Sequence, residues 1–186
     1  MTNDNMTNGG ICDLALPTAL VKLAKIGFQY DWDEETEAVR GCDFELYEQF
    51  EAPEETAWWF RLWTGNDEVD GSQFRFFGRT GSGDYAGFWL VRPDTTVVEQ
   101  PVVYIGSEGE HCLIAQNLGD CLWLFANGSG PAEVIDDPGR ETEPNEEYRM
   151  IAERYAPERA RSSAEILVAA QKEFPNFPEL IEAMCR

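Results

Sequence analysis

At 186 residues the chain has room for one domain, and its 6 Trp, 11 Phe and 6 Tyr supply enough apolar surface for a core without disulfide or metal support. Its 14 Lys and Arg stand against 35 Asp and Glu, a net charge of −21, well beyond the magnitude of about 2–8 that keeps a small domain soluble. That balance repels phosphate backbones and anionic membrane surfaces, so neither nucleic acid nor membrane is an expected partner, whereas a basic protein would be steered in.

The opening is polar, MTNDNMTNGG, with no basic segment leading into an apolar run. It does not read as a secretion signal, and residues 1–12 are expected to be loosely attached. The cysteines, Cys12, Cys42, Cys112, Cys121 and Cys185, are scattered, odd in number and never spaced C-x-x-C. Reduced, mostly buried thiols in a cytoplasm fit that pattern.

In chain order, a helix is expected from Leu16, with Leu20, Leu23 and Ala24 on one face, Pro17 in its first turn and Gly27 at its end. The stretch 30–55 is the most acidic, and Tyr30, Trp32, Phe44, Tyr47 and Phe50 interleave with its carboxylates. It reads either as a solvated face over core aromatics or as part of a docking surface with aromatic anchors in an acidic field. Pro53-Glu54-Glu55 opens a second helix, with acids placed well for the helix dipole, and Gly65-Asn66 closes it. Trp59, Leu62 and Trp63 are expected on one face of that helix, sealing it onto a sheet, with Trp58 beside them.

Strands follow at 72–79, 84–92, 97–105 and 111–115, separated by Gly81-Ser82-Gly83, Pro93-Asp94-Thr95 and Gly106-Ser107-Glu108-Gly109. Gly87 inside the second run marks a bulge or a close approach. Asn117, with Asp120 three positions on, caps a helix over 118–127, where Leu118, Cys121, Leu122 and Phe125 share a face and Gly128 is the stop. An acidic linker, 136–144, leads to helices capped by Asn145 and by Ser162 with Glu165, and to a last short helix over 178–184. Arg149, Arg154, Arg159, Arg161, Lys172 and Arg186 make this end the more basic one, able to pack back on the acidic stretch.

The expected fold is α+β: an antiparallel sheet of about four to six strands with helices on one face. Residues 1–136 form the domain, and 137–186 a helical C-terminal extension packed on it.

Chemistry is conspicuous by the residues that are missing. His111 is the single histidine, and its neighbour Cys112 points to the opposite face of a strand, so no Cys–His pair or His-based triad is available. Gly78, Gly81 and Gly83 are followed by neither Gly-Lys-Ser/Thr nor a helix start, as a phosphate loop requires. The acids lack the spacing of a calcium loop. No catalytic, cofactor-binding or metal residue is therefore assigned.

The run P-V-V-Y-I-G-S-E-G-E followed by N-L-G-D-C-L-W-L-F-A-N-G, with Phe88-Trp89-Leu90 in support, resembles the SUKH superfamily, the fold shared by yeast regulators of the Smi–Knr type and many bacterial immunity proteins. The resemblance covers residues 60–130 and carries no catalytic residue. It implies a non-enzymatic binding protein that neutralises a cognate toxin, a basic protein acting on nucleic acid. The alternative is a regulatory scaffold of the Smi–Knr type without a toxin partner. The expected state is a monomer or weak homodimer, and the residues assigned to partner binding are Trp32, Asp33, Glu34, Glu35, Glu37, Tyr47, Glu48 and Glu108.

Overall fold

Turn residues divide the apolar runs of the chain, and the strands lie between them. The computed structural model describes residues 13–33, 35, 38–139 and 142–186. The loose attachment expected of residues 1–12 lies outside this range. The first helix, α1 (Thr18–Ile26), starts after Pro17 and ends at Gly27, whose φ of +76° suits glycine. A small antiparallel hairpin follows, β1 (Tyr30–Asp33) with β2 (Ala38–Gly41), where the sequence pattern gave only an acidic stretch. β3 (Glu45–Leu46) leads into α2 (Pro53–Thr64), which closes on Gly65 in the left-handed conformation.

The main sheet is an antiparallel meander of β3, β4 (Phe74–Arg79), β5 (Tyr85–Trp89), β6 (Val102–Ile105) and β7 (His111–Ala115), in that order. The α+β class holds. The strand expected over 97–105 is shorter than the pattern suggested. Val97–Glu99 form a single 3-10 turn, and only after Pro101, which cannot donate to a ladder, does the chain pair as β6. Residue Phe77 has no partner on β5, because the register shifts between Phe76 and Gly78. The bulge sits on β4, and Gly87 opposite serves close approach instead. A Cβ there would lie 2.7 Å from Phe76 Cδ1 and 2.8 Å from the Arg75 carbonyl oxygen.

Helices cover both faces of the sheet, where one covered face was expected. Phe77, Phe88, Val102, Tyr104 and Ile114 belong to one core, with Leu20 and Leu23 of α1. Phe74, Phe76, Trp89, Val103, Ile105 and Leu113 belong to a second, with Trp59 and Phe60 of α2. The reason is written in the strands. Val102-Val103-Tyr104-Ile105 is apolar at every position, the pattern of a strand buried on both sides, where a half-exposed strand would alternate. Each fully buried phenylalanine contributes about 1.5–3 kcal/mol of transfer free energy, and Phe60, Phe76, Phe77 and Phe88 are all fully enclosed.

α3 (Leu118–Ala126) packs into the first core, and the Asn117 side chain accepts from the Asp120 N–H as its cap. A short α4 (Glu133–Asp136) precedes α5 (Glu146–Tyr155), whose Tyr148, Ile151 and Ala152 enter the same core. α6 (Ser163–Glu173) carries the full Ser162–Glu165 capping box and gives Ile166 and Leu167 to the first core and Ala170 to the second. α7 (Phe177–Glu182) closes the second core with Phe177 and Ile181. The arginines of this end do not reach the acidic stretch among the described residues. Arg149 pairs with Glu146 and Glu153 on its own helix, Arg159 and Arg161 with Asp120, and Arg186 with Glu68.

Candidate partner-binding surface

α2 is amphipathic, but its stripe differs from the expected one. Thr56, Trp59, Phe60 and Thr64 are buried and Trp63 is half-buried, whereas Trp58 is 68% exposed and Leu62 66% exposed. Leu62 therefore leaves the apolar face, and the three tryptophans do different work. Trp59 stacks on Tyr85 at a centroid distance of 3.9 Å and an interplanar angle of 4°. Its Nε1–H donates to Glu51 Oε2 at 2.7 Å. The Trp63 Nε1–H donates to the Gly106 carbonyl at 2.8 Å, tying α2 to the β6–β7 turn. Trp58 has neither role and stands in solvent one position away.

The loop before α2 runs beside β4. The Tyr47 N–H donates to the Phe77 carbonyl and the Glu51 N–H to the Phe76 carbonyl, both at 2.9 Å. This holds the loop against β4, and a cleft of about 700 Å³ opens between the loop, α2 and the strands. Its lining includes Tyr47, Trp58, Trp59 and Tyr85, together with Glu48, Glu51, Glu54, Glu55 and a single cation, Arg79. Among the described residues, no basic side chain forms an ion pair with Glu48, Glu54 or Glu55; Arg79 pairs with Glu45 at 3.8 Å.

Glu51 is the most constrained of these carboxylates. Burial raises its carboxyl above the ordinary glutamate range, against the hydrogen bonds from Thr56 Oγ1 at 2.6 Å and from Trp59 Nε1, which favour the charged form. Both bonds fall on Oε2, and Oε1 takes none among the described residues. Burial, then the Glu51 charge, pushes the Tyr47 and Tyr85 phenols up as well, so both stay neutral O–H groups.

Of the eight residues expected to bind a partner, the six that are described do not converge. Tyr47 and Glu48 line the cleft. Trp32 and Asp33 lie on β1, and Glu35 is exposed in the turn of that hairpin, which is a sheet of its own. Glu34 and Glu37 lie outside the described residues. Glu108 is exposed in the β6–β7 turn and is not part of the cleft. Glu54, Glu55 and Trp58 were within reach of a sequence argument, since Glu54, Trp58 and Leu62 recur at i, i+4 and i+8 along one outer face. Tyr85 and Arg79 were not, because they arrive from strands distant in sequence.

A second cleft of about 700 Å³ lies between α1, the start of α3 and Arg92. Its cations are already engaged. Arg92 pairs with Glu173. Asp120, fully buried, has Arg161 Nη2 at 2.7 Å and Arg159 Nη1 at 3.7 Å, with no well-angled hydrogen bond to either carboxylate oxygen. His111 is held by carbonyls, with Nδ1 2.7 Å from the Gly109 oxygen and Nε2 3.2 Å from the Pro178 oxygen, while Cys112 packs toward the other core. Burial pushes the Cys112 thiol up to about 12. Cys185, by contrast, is exposed, so the thiols are not uniformly buried. Among the described residues no three His, Cys, Asp or Glu side chains cluster as a metal would need, and no helix is long and apolar enough to cross a membrane.

No family model, curated protein or solved structure matches this chain.

Proposed function

We propose that the chain is a non-enzymatic protein-binding domain that docks a basic protein, and that it serves as an immunity protein for a toxin of that kind. One observation carries this: a solvent-exposed indole, Trp58, beside a cleft lined by four glutamates and one arginine. An exposed aromatic within a field of opposite charge is the arrangement of an interface anchor. The net charge of −21 supplies long-range attraction for a positive surface. The resemblance of residues 60–130 to SUKH proteins favours a toxin as the partner.

The test is co-expression with the product of the adjacent gene. Rescue of growth and a stable complex that weakens with salt support the immunity reading. A salt-sensitive complex with a basic protein that has no toxic activity supports the regulatory scaffold. A complex whose affinity ignores both salt and Trp58→Ala contradicts both.

A further inference from the structure

We infer that the cleft beside α2 is a receptor for an arginine side chain of the partner, taking the guanidinium against the Trp58 indole and among the carboxylates of Glu48, Glu51, Glu54 and Glu55. This deepens the binding-module reading and rests on it. The walls are aromatic and, Arg79 apart, the charged groups are acceptors. That combination suits a cation with a flat face and a fork of N–H donors: the guanidinium stacks on indole and bonds carboxylates in pairs, whereas an ammonium is a hydrated point charge.

Three details of the cleft agree. The exposed glutamates Glu48, Glu54 and Glu55 have no cationic partner among the described residues, so their charge faces outward. Glu51 offers Oε1 while Thr56 and Trp59 fix Oε2, so its acceptor is held in place before any ligand arrives. The chain's own Arg79 lines the same cleft and acts electrostatically on Tyr47, Tyr85 and Glu51, so the site already accommodates one guanidinium and retains an excess of negative charge.

The experiment uses the full chain and small probes. N-acetyl-arginine amide, N-acetyl-lysine amide and N-acetyl-citrulline amide, the last a neutral isostere of arginine, are titrated while the tryptophan indole N–H signals are followed by NMR, with Trp58→Phe assigning Trp58. The arginine amide is expected to shift the Trp58 and Trp59 signals saturably. It should bind at least about tenfold more tightly than the citrulline amide and more tightly than the lysine amide. Glu54→Gln with Glu55→Gln, both exposed and safe for folding, should weaken it about tenfold, and Arg79→Gln should tighten it about threefold.

Equal binding of the citrulline or lysine amide overturns the inference, as does the absence of a saturable shift at these two indoles. If the arginine amide fails while Trp58→Ala still abolishes the partner complex, the guanidinium site falls and the docking surface stands. If Trp58→Ala and the paired glutamine variant both leave the partner complex intact, the docking surface falls as well.

Discussion

Among the described residues, the cleft beside α3 and the cleft beside α2 each enclose about 700 Å³, and they use charge in opposite ways. Beside α3, arginines turn inward: Arg161 and Arg159 meet the buried Asp120, and Arg92 meets Glu173. The Asp120 pairs hold the start of α3 to the segment after α5, and the Arg92 pair ties the chain after β5 to the end of α6. Beside α2, the carboxylates turn outward and the opposing cation is a single, half-exposed arginine. Room alone therefore does not mark a site. What distinguishes the α2 cleft is charge left uncompensated next to an aromatic side chain left uncovered.

The largest contrast is expected within α2 itself, where one of two adjacent tryptophans is buried and the other exposed. Trp59→Ala removes an indole stacked on Tyr85 and packed with Phe60 and Phe76. It is expected to cost about 3–5 kcal/mol in denaturant unfolding. Trp58→Ala, one residue away, should change stability by less than about 0.5 kcal/mol. Equal losses at the two positions would mean that the outer face of α2 is structural.

Next in size is the other cleft. Replacing both Arg159 and Arg161 by Ala leaves Asp120 enclosed without a counter-charge. Unfolding measurements should show a loss of about 3–5 kcal/mol. The affinity of the remaining folded protein for its partner should be unchanged. A loss of partner affinity with stability intact would reverse the roles assigned to the two clefts.

Trp58→Ala should cost about 2 kcal/mol in partner binding, roughly 30-fold in dissociation constant by calorimetry. A loss confined to substitutions at Glu35 in the β1–β2 turn would move the interface to the hairpin.

The smallest effect is a pH dependence. The folded-state pKa of Glu51 is raised by burial, so the folded state holds this proton more tightly than the unfolded chain does. Its contribution to stability is therefore fully present below the ordinary glutamate value of 4.5 and is lost as pH rises through the raised one. Across the same window an incoming cation should bind more tightly, because only the charged carboxylate attracts it. Glu51→Gln, which keeps an acceptor for Thr56 and Trp59, should remove this part of both slopes. Unfolding and arginine-amide titrations from pH 4.5 upward measure them.

Much of the fold is legible where a few neighbouring residues decide the outcome. The ends of α2, α3, α5 and α6 follow from Pro53 and Gly65, Asn117, Asn145 and the Ser162–Glu165 box, because caps act over one turn. The covering of both sheet faces was also written locally, in the unbroken apolar run of β6, but reading it requires preferring two-sided burial over alternation. The hairpin of β1 and β2 was not legible. YDWD and AVRG carry no turn signal as strong as Asn-Gly, and their acids favour a solvated reading. Val97 and Val98 look like strand on propensity alone, yet they form a turn before Pro101. The candidate site was half legible. Tyr47 and Glu48 belong to a segment whose composition advertises it, whereas Tyr85 and Arg79 reach the cleft only because β4 and β5 lie next to the loop before α2.

The decisive measurement is the affinity of the adjacent gene's product for the wild-type chain and for a Glu54→Gln, Glu55→Gln, Trp58→Ala variant, each at low and at high salt. If the α2 cleft docks a basic partner, the variant binds at least about 30-fold more weakly at low salt and its salt dependence is shallower. Identical affinity and an identical salt slope for the two proteins would contradict the account.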